Sequence, residues 1–247
     1  MNVFYDLHIH SCLSPCGADD MTPTNLVHLA ALAGLQVIAL ADHNTTKNVP
    51  AAVAVGAQCG VLVVPAMELT TREDIHVLCL LPDLERAEAF RQYVYARLPQ
   101  RKNRPKVFGH QYVMDEMDRV LEEETQILAF GADIGIYEVK RLLEEYDGLA
   151  VPAHIDRASY SLIGAMGLVD PAMGFQVYET TVGCDRQKLM EQYRFSGGFL
   201  SNSDAHDLTA ILDGERGLDV AELTPRGVIA AVKRLGEAES AAEGRHR

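Results

Sequence analysis

The sequence has no apolar run approaching the roughly 18 residues a membrane-spanning helix needs, so no span is expected. Its first residues, "MNVFYDLH", have neither a basic start nor a long apolar stretch, and no secretory signal is read there. Cysteine is sparse, 5 in 247 residues, odd in number and without the paired spacing of a disulfide framework. Cys59 and Cys79 stand in apolar surroundings, where a thiol packs as a small hydrophobe. These absences predict a soluble cytoplasmic protein in a reducing compartment. Positive charge is also scarce. Against 35 Asp and Glu there are 22 Lys and Arg, a net charge of −13, which argues against a long basic track for nucleic acid. No internal repeat or linker divides the chain. Residues 1–236 are therefore read as one domain, and 237–247, without apolar period, as a flexible tail. An oligomeric state is not legible.

What is present alternates. Short β-branched runs ("NVFYDLH", "LQVIALAD", "VLVVPAME", "IHVLCLLP", "LAVPAH", "GFQVYE", "FLSNSDAH") are interleaved with helix-period segments. In "TPTNLVHLAALAG" Thr22 is the expected N-cap, Pro23 the first helical residue and Gly34 the residue past the end. Residues 99–135 are less regular, and "RKNRPK" within them reads as an exposed loop and not a phosphate track. Such alternation predicts parallel strands with crossover helices.

Metal-binding side chains follow nearly every predicted strand, the habit of a barrel and not of a doubly wound sheet. His8 and His10 are one residue apart on a strand, so both imidazoles leave the same face. His43, His154 and His206 follow other strands, with Glu68 and Asp204 among them; His76, near a strand start, is the irregular member. Of the remaining histidines, His28 is read as solvated, His246 as part of the tail, and His110 as a loop residue or a substrate contact. Imidazole and carboxylate together suit Zn²⁺, Mn²⁺ or Fe²⁺, and so many ligands exceed what one ion needs. Two or three ions are implied, with Glu68 as the natural bridge. Cations sharing it would lower the pKa of a bound water and supply hydroxide near neutral pH. Arg157, three residues after His154, can grip an oxyanion bidentately, and Arg72 is a weaker candidate, since an Arg beside two acids is more often paired on the surface. Asp204 or His206 could protonate a leaving group, and that acid stays unassigned. Asp6 and Asp42 adjoin ligand histidines and are read either as carboxylates that orient imidazoles or as strand-end polar residues.

The ordered set H-x-H, "ADHN", "PAMELTTREDIHVL", "VPAHIDR" and "SNSDAH", spanning residues 6–206, resembles the motifs of the polymerase and histidinol phosphatase (PHP) family. The resemblance implies a distorted (β/α)7 TIM-like barrel with a trinuclear metal centre that hydrolyses phosphoesters. By motif, the first ion takes His8, His10, Glu68 and Asp204, and the second takes Glu68, His76 and His154. The third takes His43, His206 and one residue from the loop after the first strand. There the chain departs from the pattern, offering Pro15, Cys16 and Gly17, then Asp19 and Asp20, where many relatives have Asp or His before a Gly. Cys16 matches the register, and its thiolate would favour Zn²⁺ or Fe²⁺; Asp19 or Asp20 is the alternative. The expected function is hydrolysis of a small phosphate monoester, a metabolite or nucleotide, with no long nucleic acid and no membrane as partner. The alternatives are a 3′-phosphate phosphatase or short-oligonucleotide exonuclease, and a catalytically decayed metal-binding regulatory domain.

Overall fold

A computed structural model describes residues 1–211 and 214–243, and side chains as far as residue 237. His246 and the rest of 244–247 lie outside the described residues. The strands are β1 (Asn2–Ile9), β2 (Val37–Leu40), β3 (Leu62–Thr70), β4 (His76–Leu80), β5 (Tyr112–Met114), β6 (Val120–Glu123), β7 (Leu149–Pro152), β8 (Val177–Glu179), β9 (Gly198–Leu200) and β10 (Gly217–Asp219). The helices are α1 (Pro23–Leu32), α2 (Val49–Cys59), α3 (Leu84–Tyr95), α4 (Pro105–Phe108), α5 (Ile136–Glu145), α6 (Leu162–Met166), α7 (Arg186–Tyr193) and α8 (Pro225–Glu243). The last residues of α8 come from the segment read as a tail. Local chemistry set α1 as expected: Thr22 accepts from the Asn25 amide at 3.2 Å, Pro23 opens the helix, and Gly34 takes φ +80° beyond it.

The sheet is curled, with strand order β10-β1-β2-β3-β4-β7, and β8 and β9 form a separate parallel pair. The curl nearly returns on itself. The Ile155 amide donates to the Glu179 carbonyl at 2.9 Å, linking the end of β7 to β8. Past β9, Ala205 bridges to Ile9, and the His10 amide donates to the Ala205 carbonyl at 3.0 Å. The expected all-parallel order is corrected. β1, β2 and β3 are parallel, but β3 pairs antiparallel with β4, β4 with β7, and β1 with β10. The cause is length: only Thr71–Ile75 joins β3 to β4, closed by the Thr71 amide on the Ile75 carbonyl, and a crossover helix cannot fit there. His76 thereby loses its irregularity, because the start of a reversed strand lies at the same rim as the ends of its neighbours.

Apolar residues of β1 divide between two clusters, Ile9 joining the one beneath α1 and α2. Val3, Tyr5 and Leu7 share a buried cluster with Val228, Ile229 and Val232 of α8, leaving Asp6, His8 and His10 for the other face. A second cluster lies beneath α1 and α2, and a third involves α3 and α5. The "RKNRPK" stretch is more ordered than a free loop. The Asn103 amide donates to the Thr125 carbonyl at 2.7 Å, Lys102 bridges to Gln126, and α4 follows. The hairpin β5–β6 comes next.

Candidate metal centre

The strand ends converge on one carboxylate. Glu68, fully buried near the end of β3, lies 2.9 Å from His76 Nδ1 and 3.0 Å from His43 Nδ1. It also lies 3.2 Å from His154 Nε2 and 3.3 Å from each of His8 Nε2 and His10 Nε2. Asp204 Oδ1 stands 3.1 Å from His10 Nε2 and 3.4 Å from His8 Nε2. The ring of His206 stacks on that of His10 at 4.1 Å, and Cys16 Sγ lies 3.2 Å from His43 Nε2. Ligand atoms close enough to share an ion fall into three overlapping groups: His8, His10, Glu68 and Asp204; His43, Glu68 and His76; and His10, His43 and His206. The first group is the set expected from sequence. In the others, His43 stands between His76 and His206, beside Glu68 as well as Cys16. Asp19 and Asp20 are exposed, and Cys16 is the candidate that the loop brings to His43.

The donor set fits divalent cations. His8 Nδ1 is held by Glu179 at 2.9 Å, and His10 Nδ1 by Ser14 Oγ at 2.9 Å. The Ser14 hydroxyl donates to Asp42 Oδ1, so its oxygen accepts from His10. Once both rings are neutral, as metal ligation requires, their unprotonated Nε2 atoms face each other at 3.2 Å, an arrangement that a shared cation satisfies. Glu68 Oε2, His43 Nδ1 and His154 Nδ1 are buried without hydrogen-bond partners among the described residues. Charge agrees. Burial opposes the charged form of His10 and His43, yet Asp204 and Glu68 lift His10 to about 9, and Glu68 with Cys16 lifts His43 to about 9. Burial would raise the carboxyl of Glu68, but His76, His8 and His43 hold it well below the usual range. The carboxylates thus favour positive charge in this space. His206, half-buried beside His10, is pushed down to about 3 by desolvation and by the His10 charge, and stays neutral.

Two of these residues hold left-handed backbone, His154 at φ +29° and Asp204 at φ +53°, conformations that cost a non-glycine residue and concentrate at functional sites. Glu179, which anchors His8 and receives Asn202 Nδ2 at 3.1 Å, was missed in the sequence. Its signal was an acid closing a strand run, "GFQVYE". Asp42 orients His10 through Ser14, whereas Asp6 accepts from the amides of His8 and Ser203 and touches no imidazole. Arg157 Nη1 reaches Asp204 Oδ2 at 2.5 Å with its side chain 43% exposed, at the rim of the cluster. Arg72 pairs instead with Asp133 at 2.7 Å, both exposed, and no contact joins it to the cluster. His28 is exposed as expected, and His110 pairs with Glu123 at 2.8 Å.

No family model matches the chain. A 5′-3′ exoribonuclease of Salmonella typhimurium is 26% identical over 215 residues, covering 84% of this chain and 68% of that protein. Among solved structures, a lesion-specific endonuclease from Pyrococcus furiosus superposes with TM-score 0.70 at 21% identity, covering 95% of this chain and 56% of the other. A two-domain protein from Bacteroides vulgatus, assigned a PHP-like metal-dependent phosphoesterase, gives TM-score 0.54 at 15% identity, covering 94% and 62%. This chain therefore spans little more than half of the endonuclease. No helix among the described residues is long and apolar enough to cross a membrane.

Proposed function

We infer that this chain, which has the fold of the PHP-like metal-dependent phosphoesterases, is itself a metal-dependent phosphoesterase. Its substrate is a small phosphorylated molecule: a metabolite, a nucleotide or the end of a short oligonucleotide. The observation that carries this is the approach of His8, His10, His43, His76 and His154 to the single carboxylate of Glu68. The exoribonuclease relative favours a nucleotide-containing substrate. The same reading takes 1–236 as one domain whose distorted (β/α)7 barrel uses β1, β2, β3, β4, β7, β8 and β9, each with one end beside a member of the cluster or Glu179. A cytoplasmic setting fits five cysteines that are all free thiols.

Two or three ions of Zn²⁺, Mn²⁺ or Fe²⁺ would be held by His8, His10, Glu68 and Asp204, by Glu68, His76 and His154, and by His43, His206 and Cys16. Such ions supply charge that acidifies water and polarises phosphoryl oxygens. The chain's own residues do the rest. Glu179 and Ser14 fix the tautomers of His8 and His10, so that their Nε2 atoms face the site. Glu68 joins the ligand sets. Arg157, at the rim, is the side chain able to grip non-bridging oxygens. Burial keeps bulk water from His8, His10, Glu68 and His154, while Cys16 and His206 stand on the solvent side of the cluster. Glu68→Gln keeps the shape but removes the charge, and should lose metal and lower kcat by at least a hundredfold. Elemental analysis and turnover measured on one preparation, with each metal supplied separately, test this. One equivalent of metal or fewer in active protein, or near wild-type kcat in Glu68→Gln, would sink the reading.

A further inference from the structure

We propose that Arg101, Arg104, Phe108 and Phe130 form a track for single-stranded nucleic acid that leads its end into the metal centre. The proposal rests on the phosphoesterase reading and names the substrate class of that site. In a chain of net charge −13, the stretch from Arg97 to Lys106 carries Arg97, Arg101, Lys102, Arg104 and Lys106 and no acid. Its backbone is pinned by Asn103 on Thr125 and by the Lys102–Gln126 bridge, so the cations are held on an ordered edge. Aromatic rings alternate with them. Phe108 and Phe130 meet edge to face at 5.9 Å, the Arg104 guanidinium lies 5.8 Å from the Phe108 ring, and Arg101 lies 5.8 Å from Phe130. Arg97, Arg101 and Phe130 also line a cavity of about 420 Å³. Of the acids at this edge, Asp133 is engaged by Arg72 and Glu123 by His110, and Asp74, exposed, shares the lining of the cavity with Arg97 and Arg101.

Two attachments join this edge to the cluster. A side chain at Gly109 would meet the Pro15 carbonyl at 2.5 Å, and Pro15 precedes Cys16. Asn44, next to His43, donates from Nδ2 to the carbonyls of Leu128 at 2.7 Å and Phe130 at 3.1 Å. The backbone that carries the rings thus packs against the segments that carry Cys16 and His43. Guanidinium groups track phosphates, and aromatic faces stack on bases, but only bases whose faces are open. A duplex hides those faces, so the surface selects single strands. The low overall charge limits the contact to a few nucleotides. An acidic peptide would satisfy the arginines but has nothing to offer the rings.

Fluorescein-labelled eight-nucleotide RNA, DNA and duplex probes test this by anisotropy on the metal-loaded full chain, with probe integrity checked on a gel. Either single strand should bind more tightly than the duplex, and the RNA–DNA ratio reports the preferred sugar. Arg101→Ala/Arg104→Ala should weaken single-strand binding by about tenfold at low salt. It should also flatten the dependence of log K on log salt by about 1 to 2. Phe108→Ala should cost roughly tenfold with little change in that slope. Melting temperatures establish that the variants are folded. Equal binding of duplex, unaltered variants, or displacement by polyglutamate as efficient as by unlabelled oligonucleotide would each overturn the track. Wild-type hydrolysis of p-nitrophenyl phosphate, a monoester, or of bis(p-nitrophenyl) phosphate, a diester, keeps the two proposals apart. Its absence with every supplied metal counts against the phosphoesterase reading, whereas hydrolysis without single-strand binding counts against the track alone.

Discussion

Arg157 concentrates the chemistry of the site into one side chain. One of its guanidinium nitrogens holds Asp204 Oδ2, while the side chain stays 43% exposed at the rim. The same fork can therefore orient a ligand carboxylate and face an incoming phosphate. A charge-assisted contact of this kind contributes about 1.5–3 kcal/mol, or about ten- to a hundredfold in kcat/KM. Arg157→Ala should show that loss with its melting temperature little changed. Arg157→Lys should recover only part of it, because a point charge does not reproduce the planar fork. A lower melting temperature with unchanged kcat/KM per folded molecule would make the pair with Asp204 purely structural. Cys16 poses the neighbouring question, since its sulfur stands 3.2 Å from His43 Nε2. Cys16→Ser should reduce the bound metal, and Asp19→Ala should not; the reverse result would hand the ligand role to the aspartate.

At the scale of elements, the chain joining the site to its surroundings turns at Gly109. There φ is +83° and ψ 172°, a region that essentially only glycine occupies, and the Pro15 carbonyl fills the place of a side chain. Gly109→Ala should destabilise the protein by roughly 1–3 kcal/mol and shift the loop bearing Cys16. Urea unfolding beside metal content would detect both, and wild-type values for both would refute it. Much of the element order was legible because its signals are local. Thr22, Pro23 and Gly34 delimit α1, and β-branched runs mark the larger strands. Most candidate ligands were legible for the same reason, as strand-end residues. Strand direction was not, because it depended on the shortness of the β3–β4 connection rather than on either strand's composition. Glu179 and Ser14 were missed because their partners, His8 and His10, are identified only once the sheet has curled. Arg72, the weaker candidate, shows the surface pairing that its acidic neighbourhood suggests, although the partner, Asp133, is distant in sequence.

For the whole molecule, the centre links distant parts of the chain. Strand ends from residues 8 to 206 meet there, and buried polar atoms of Glu68, His43 and His154 lack hydrogen-bond partners. Without cations these atoms are desolvated and poorly aligned for hydrogen bonds, although Glu68 Oε2 stands 3.0 Å from His43 Nδ1, and the Nε2 atoms of His8 and His10 face each other at 3.2 Å. Ions that bind only the folded chain add stability by mass action, about 4 kcal/mol per site at a thousand times Kd. For a chain of this size each kcal/mol is worth roughly 2–4 °C. Removing the metal with chelator should therefore lower the melting temperature by on the order of 10 °C, and restoring Zn²⁺, Mn²⁺ or Fe²⁺ should return it. The metal that restores most stability need not give the most turnover, since affinity follows ligand softness and activity follows the reaction. Calorimetry on stripped and reloaded protein separates the two. The drop should shrink in Glu68→Gln, which has less metal to lose. A melting temperature indifferent to chelator, in protein shown to have lost its metal, would mean that the cluster is held by packing alone.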